Sequence, residues 1–197
     1  MAEESIAAGI DEQLQGHAAH SKAADSQKGL PGEIRRPLNV VFLGAGSGFC
    51  PRICRDILMI NTADRGEIRL VDIDSGRLEK MHRVLEKVLV QAGRQDGWTI
   101  TSSTDRRELL PGADYVINSI EVSGLDCVAH DNDIPLKYGV DQCVGDTLCA
   151  GGIMYGQRGV PHILSVCDDI REVAAPGCLL MNYGNPNAML TWAANHH

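Results

Sequence analysis

Short apolar runs alternate with longer amphipathic segments from Leu38 to the end of the chain. Runs rich in Val, Ile and Leu predict strands at 40–43, 67–74, 98–103, 115–120 and 178–181. Segments whose apolar positions recur every three to four residues predict helices at 51–60, 75–92, 105–110, 128–138, 160–173 and 187–195. Strands that alternate with helices are typical of an α/β fold with a Rossmann-like, doubly wound parallel sheet.

Three stretches fall outside this alternation. Residues 1–36 are rich in Ala, Ser, Gly and Glu and poor in large apolar residues, which predicts a disordered extension before a domain at 37–197. Residues 144–152 are rich in Gly and polar residues, which predicts a loop on the carboxyl-end side of the sheet. The last predicted helix carries Leu190 and Trp192 with no later segment to cover them, so the domain is expected to be truncated at its C-terminal end.

The first strand runs directly into a glycine turn, LGAGSG at 43–48. Gly44 permits a sharp exit from the strand, and Gly46 lets a pyrophosphate approach the backbone at the start of the next helix. The third position of the G-x-G-x-x-G pattern is Phe49, so the fingerprint is incomplete. The turn alone is therefore weak evidence for a dinucleotide site.

An acidic residue at the end of the second strand strengthens this interpretation. Asp72 lies 26 positions after Gly46, where a carboxylate that binds ribose hydroxyls is expected. Asp74 competes for this role, but it also precedes a helix and is a candidate N-cap. An acid at this position favours NAD over NADP.

Composition excludes several classes of function. The formal charge of −8 and an aromatic content of 4% argue against a nucleic-acid-binding surface. Neither a membrane-spanning run nor a secretory signal is found in the sequence. Seven cysteines without paired CxxC spacing indicate reduced thiols in a cytoplasmic protein, with Cys50 and Cys54 packed inside a helix interface.

Five stretches together resemble glycoside hydrolase family 4, the NAD- and metal-dependent glycosidases, and most closely its α-galactosidase branch. They are FLGAGSGF at 42–49, LVDIDSGRL at 70–78, GADYVINSIEVSG at 112–124, DIPLKYGVDQCVGDTLCAGGI at 133–153 and LLMNYGNPNAMLTWA at 179–193. The chain departs from the family pattern at Cys149–Ala150 and at Gly159, where the family has Gly-Pro and Thr.

The resemblance implies an α-glycosidase that does not use the common pair of carboxylates. NAD⁺ would oxidise C3 of the sugar, the aglycone would leave by elimination, water would add, and the reduced cofactor would restore C3. A divalent metal, typically Mn²⁺, would polarise the sugar oxygens as a Lewis acid. The expected substrate is a small α-glycoside, and the longer enzyme is expected to be a homo-oligomer.

Carried over residue by residue, the resemblance assigns five cofactor contacts. Gly44, Gly46 and Ser47 would hold the pyrophosphate, and Asp72 the adenosine ribose. Asn118, at the end of the fourth strand, would approach the nicotinamide ribose.

The same comparison gives four candidate substrate contacts. Asn185 lies in an Asn-Pro turn after the fifth strand and would bind sugar hydroxyls. The other three candidates are Asn182, Arg158 and Asp146, and each has an alternative role. Asn182 could bond the neighbouring loop, Arg158 could make a structural contact, and Asp146 could serve in a turn.

The family's Cys and His metal ligands and its catalytic base would lie beyond residue 197. No catalytic or metal-binding residue is therefore assigned in this chain, which is expected to bind NAD without hydrolysing a glycoside.

Two other interpretations stay open. An NAD-dependent dehydrogenase of the lactate and malate type has a similar sheet, although His130 and His162 lie in the wrong segments for its catalytic histidine. The chain could also be a non-catalytic NAD-binding remnant.

Overall fold

The computed structural model describes residues 36–60, 63–142 and 147–197. Residues 1–35 of the predicted extension and the candidate residue Asp146 lie outside these ranges. Arg36 is the one residue of the predicted extension that lies within them. The Arg36 guanidinium donates a hydrogen bond of 2.5 Å to Asp114. Within the described ranges, no helix is both long and apolar enough to cross a membrane.

Five parallel strands form one sheet in the order β3-β2-β1-β4-β5. Their bounds are β1 Leu38–Leu43, β2 Gly66–Val71, β3 Trp98–Ser103, β4 Tyr115–Asn118 and β5 Leu179–Asn182. Phe42, near the carboxyl end of β1, is in register with Leu70 on one side and Ile117 on the other. The strand order reverses between β1 and β4, which is where α/β sheets bind ligands. The predicted Rossmann-like fold is confirmed.

Helices connect successive strands, and a further helix follows the last strand. Their bounds are α1 Cys50–Leu58, α2 Ser75–Gln91, α3 Arg106–Leu109, α4 Gly124–Lys137, α5 Cys149–Val173 and α6 Asn187–His196. The apolar stripe of α2 packs on the sheet through Leu78, Leu85 and Leu89. On the other face of the sheet, Val166 of α5 packs with Val41 and Val116. The sheet is thus covered on both faces, as parallel strands require.

The loop predicted at 144–152 is wrong for its last four residues, because α5 begins at Cys149 and runs for 25 residues. Two glycines of α5 are sites of close packing with α6. A Cβ on Gly156 would lie 2.6 Å from the Met189 sulfur, and one on Gly159 would lie 2.9 Å from Leu190 of α6. The lower helix propensity of glycine is offset here by close contact between two helices.

The cysteines of α1 are part of the core. Cys50 and Cys54 are fully buried, and their sulfur atoms lie 3.8 Å apart. The hydrogen bond to Cys54 and burial raise the pKa of the Cys50 thiol. The prediction that these two cysteines are buried in the helix interface is confirmed.

Candidate dinucleotide-binding cleft

The glycine turn joins β1 to α1 at the centre of the sheet. Gly44 has φ +75°, a conformation that favours glycine, and a Cβ there would lie 2.8 Å from the Ser119 carbonyl oxygen. Ser47 closes the turn, because its backbone N–H donates to Gly44 O at 3.0 Å. Gly44 therefore allows β1 to end against the segment that follows β4.

Asp72 lies against this turn. Its Oδ2 accepts a hydrogen bond of 2.7 Å from the backbone N–H of Gly46, and its Oδ1 accepts one of 2.9 Å from Asp74. The second bond turns the chain, so β2 ends at Val71 and not at Asp74 as predicted. The structure thus brings together four of the predicted cofactor residues: Gly44, Gly46, Ser47 and Asp72.

Gly46 has a structural requirement that the sequence did not reveal. A Cβ on Gly46 would lie 2.8 Å from Asp72 Oδ2 and 3.1 Å from Arg77 Cβ. In contrast, a Cβ on Gly48 would meet no atom of the described residues within 4 Å. The space beside Gly46 therefore belongs to Asp72, and the open approach to the backbone is at Gly48.

Asp74 is the N-cap of α2. Its Oδ1 accepts a hydrogen bond of 3.0 Å from the Arg77 backbone N–H, and that bond lowers the pKa of the Asp74 carboxyl. The predicted capping role is confirmed. Asp72 and Asp74 thus have different roles, since Asp72 bonds the glycine turn and Asp74 caps α2.

A cleft of about 850 Å³ opens above the carboxyl ends of β1, β2, β3 and β4. Its floor includes the glycine turn and Asp72, and its other walls include Thr104 after β3, Glu121 after β4 and His162 of α5. A cavity of this size is large enough for a cofactor.

One wall of the cleft is held by ion pairs between α3 and α5. Arg106 donates to Asp169 at 2.6 Å and to Ser165 Oγ at 2.7 Å, and Arg107 also pairs with Asp169. Partial burial acts to raise the pKa of Asp169, but the hydrogen bonds from both arginines outweigh it and lower that pKa. Asp169 thus holds both arginine side chains in the wall.

His162 lies beside the same wall. Its Nε2 is buried and has no hydrogen-bond partner among the described residues. Burial, and then the charge of Arg106, lowers the pKa of the imidazole. His162 is therefore neutral at physiological pH.

Asn118 and Asn182 meet at the carboxyl ends of β4 and β5. Asn118 is 1% exposed, and its Nδ2 donates to Asn182 Oδ1 at 2.9 Å. Within the described part of the chain, Asn118 Oδ1 has no partner. Asn182 also accepts from Gly184 N and donates to Thr191, so it bonds the neighbouring turn. Asn185 lies in that turn and is exposed.

Arg158 lies in a separate network between α4 and α5. Its guanidinium contacts both carboxylate oxygens of Asp131, at 3.0 and 2.5 Å, and donates to Ser123 Oγ at 2.6 Å. The hydrogen bond to Asp131 raises the pKa of Arg158. The sequence left two roles open for Arg158, and these bonds are those of the structural role. A contact between Arg158 and the substrate stays a prediction.

Two residues of the cleft, Glu121 and His162, were not identified as site residues from the sequence. Glu121 follows an apolar strand within the family-like stretch 112–124, where no local pattern marks it as a ligand-binding residue, and His162 lies within a helix. Only the fold places them beside the glycine turn. Among residues 36–60, 63–142 and 147–197, no group of three or more His, Cys, Asp or Glu could hold a metal ion.

The strand order, the glycine turn and the acid beside it are those of a doubly wound, Rossmann-like α/β domain. The sequence model of the Family 4 glycosyl hydrolases matches residues 39–197, and the chain belongs to this family. The resemblance found in the five sequence stretches is confirmed.

Similar curated proteins include two alpha-galactosidases. The one from Rhizobium meliloti (strain 1021) is 49% identical over 156 residues, which cover 79% of this chain and 31% of that protein. The one from Bacillus subtilis (strain 168) is 35% identical over 78% of this chain and 35% of that protein. The chain thus spans about a third of the length of these relatives.

Solved structures show the same fold. A 6-phospho-alpha-glucosidase from gut microorganisms, in complex with NAD and glucose-6-phosphate, matches with a TM-score of 0.71 and 28% identity, over 79% of this chain and 35% of that one. A malate dehydrogenase from Naegleria fowleri matches with a TM-score of 0.56 and 11% identity, over 82% of this chain and 43% of that one. The second likeness shows the fold alone.

Proposed function

We propose that this chain is the NAD-binding part of an α-glycosidase that acts on α-galactosides or related α-glycosides. The observation that carries the proposal is the contact between Gly46 and Asp72 on the floor of the cleft. The 49% identity to an alpha-galactosidase supports the α-galactoside preference, and NAD in the related 6-phospho-alpha-glucosidase structure supports the cofactor.

The residues of the cleft fit the adenosine end of NAD. Each oxygen of Asp72 accepts one backbone hydrogen bond, and a carboxylate oxygen can accept a second, so Asp72 would also hold the ribose diol. Ser47 and Gly48 lie just before α1, so a pyrophosphate bound beside their backbone would meet the N-terminus of that helix. When bound, NAD⁺ would supply a hydride acceptor for C3 of the sugar.

The described residues do not form a site for the divalent metal of the family. The described residues hold no suitable ligand group, so we assign no metal-dependent step to them. We propose that Mn²⁺ is bound in the longer enzyme by Cys and His ligands that this chain does not supply. Without them the chain would be inactive.

The other predicted contacts are proposals as well. Asn185 keeps its proposed contact with sugar hydroxyls. The internal bonds of Asn182 and Arg158 favour structural roles, and Asp146 lies outside the described residues. The free thiols of the described cysteines fit the proposed cytoplasmic location, and assembly into a homo-oligomer is proposed for the longer enzyme.

Calorimetric titration of the chain with NAD⁺ tests the cofactor assignment. Asp72→Ala removes hydrogen bonds to a charged group, so NAD⁺ affinity is expected to fall by more than about tenfold. Glu79→Ala removes an exposed acid on α2 and should leave the affinity unchanged. NADP⁺ should bind more weakly than NAD⁺, because its phosphate would meet the Asp72 carboxylate. Unchanged affinity in Asp72→Ala would refute the assignment.

An activity assay tests the functional limits of this chain. With NAD⁺, Mn²⁺ and a reductant, the chain is expected not to hydrolyse p-nitrophenyl α-galactoside. Turnover would show that the base and the metal ligands have been misplaced. A variant extended by the segments present in its relatives, assayed on a panel of α-glycosides, would test the substrate preference.

A further inference from the structure

Glu121 is an exposed carboxylate at the edge of the cleft, three residues after β4 ends at Asn118. Its Oε1 accepts a hydrogen bond of 3.0 Å from the Ser123 backbone N–H. Its Oε2 accepts a hydrogen bond from the Tyr155 hydroxyl. Each oxygen is thus fixed by a donor from a different segment of the chain.

The donors themselves are held in place. Tyr155 is 6% exposed on α5, and the Arg158 guanidinium carbon lies 5.6 Å from the centre of its ring. Arg158 also donates to the Ser123 side chain and is anchored by Asp131. A ligand that binds Glu121 would therefore meet a carboxylate that has already lost most of its conformational freedom, which favours affinity.

The carboxylate keeps capacity for a ligand. An ionised carboxylate has about four acceptor sites, and the two hydrogen bonds above occupy two of them. A pair of neighbouring hydroxyls can satisfy two acceptor sites on one carboxylate. Glu121 is therefore suited to a vicinal diol.

The topology of the sheet identifies which diol. β2 and β4 are the two neighbours of β1, so Asp72 and Glu121 follow the strands on opposite sides of the glycine turn. A dinucleotide has the same arrangement, with a central pyrophosphate and a ribose diol on each side. Asn118, which the sequence assigned to the second ribose, is 1% exposed and bonded to Asn182.

We propose that Glu121 binds the diol of the nicotinamide ribose, as the counterpart of Asp72 on the adenosine ribose. This inference rests on the proposed NAD site. It assigns recognition of the second half of the cofactor to a side chain held by α5, and it gives the Arg158 network a positioning role.

Calorimetric titrations with NAD⁺, AMP and methyl α-galactoside test the inference. Glu121→Gln preserves the shape of the side chain and removes its charge. It is expected to weaken NAD⁺ binding by about tenfold and to leave AMP binding unchanged, because charged acceptors make the stronger hydrogen bonds. Asp72→Ala should weaken both ligands. Asp126→Asn, which neutralises an exposed acid on α4, is the control and should change neither.

Tyr155→Phe provides a second variant, because it removes one anchor and keeps the carboxylate. Its NAD⁺ affinity should fall less than in Glu121→Gln, again without an effect on AMP. Thermal unfolding of each variant verifies that the domain is folded.

The other outcomes are distinct. Unchanged NAD⁺ affinity in Glu121→Gln, or an equal loss for NAD⁺ and AMP, would overturn the role of Glu121 and leave the NAD site intact. A loss confined to methyl α-galactoside would assign the diol to the glycoside and overturn the ribose assignment. Failure of the unmodified chain to bind either NAD⁺ or AMP would overturn the proposed function as well.

Discussion

The backbone N–H of Gly46 donates a 2.7 Å hydrogen bond to Oδ2 of Asp72, 26 residues further along the chain. The glycine is required by this contact, because a Cβ would lie 2.8 Å from the same oxygen. The turn after β1 and the acid after β2 therefore form one unit. The Asp72 carboxylate can occupy its position only because Gly46 has no side chain.

Gly46→Ala is expected to displace Asp72 and to lower NAD⁺ affinity by more than about tenfold, because the carboxylate loses both its anchor and its position. The free energy of unfolding should fall by about 1–3 kcal/mol. Urea denaturation and calorimetric titration measure the two effects. Gly48→Ala is the matched control for stability, since Gly48 is exposed and a Cβ there would meet no atom of the described residues within 4 Å. Equal losses of stability in the two variants would contradict the account.

The sheet could be predicted from the sequence because its central strands are buried on both faces. Val41, Phe42 and Leu43 have no exposed surface, and such continuous apolar runs are recognisable without knowledge of their partners. The end of β2 could not be predicted, because it depends on the hydrogen bond between Asp72 and the Asp74 backbone.

The start of α5 could not be predicted for a related reason. Glycine has a low helix propensity, and only contacts with distant residues explain the glycines of this helix: the Asp131 carbonyl lies against Gly151, and Met189 and Leu190 of α6 lie against Gly156 and Gly159. The partners of Asn182 and Arg158, and the place of Glu121 in the cleft, also depend on segments far apart in sequence. Local pattern identified the glycine turn and its acid, but not the network on the other side of the turn.

Arg158 and Asp131 are expected to be coupled in stability. Asp131 is buried, so Arg158→Leu leaves its charge without a guanidinium partner and should cost about 2–4 kcal/mol. The double variant Arg158→Leu with Asp131→Leu should recover more than half of that loss, because no unpaired charge remains. Urea denaturation of the single and double variants measures the coupling. A double variant as unstable as the sum of both single variants would show that the pair acts independently.

Asp169 should contribute a pH-dependent stability. Its pKa in the folded state is below the ordinary value of 3.8, so its contribution is present above that pH and is lost as the pH falls through the folded pKa. Asp169→Asn is expected to cost about 1.5–3 kcal/mol near pH 7 and progressively less below about pH 4. Asp168→Asn, at an exposed neighbouring acid, should show a smaller cost near pH 7. Thermal unfolding as a function of pH measures the cost of Asp169→Asn; a cost that stays the same down to about pH 3 would contradict the account.

His162 should destabilise the domain in acid. Burial and the charge of Arg106 lower its folded pKa below the ordinary 6.5, so the unfolded chain binds the proton more readily. Stability is therefore lost as the pH falls below about 6.5. Within the described chain the imidazole Nε2 is also buried without a partner, which carries a cost of about 1–3 kcal/mol even when the ring is neutral.

His162→Leu removes both penalties. The free energy of unfolding should rise near pH 8, where only the unpaired nitrogen matters, and rise further near pH 5.5, where protonation adds its cost. His130→Leu, at an exposed histidine of α4, should stay within about 0.5 kcal/mol of the unmodified chain at both values. Urea denaturation at the two pH values measures the four differences. If His162→Leu destabilised the domain equally at both, the nitrogen would have to be satisfied and the imidazole would be a structural hydrogen-bonding group.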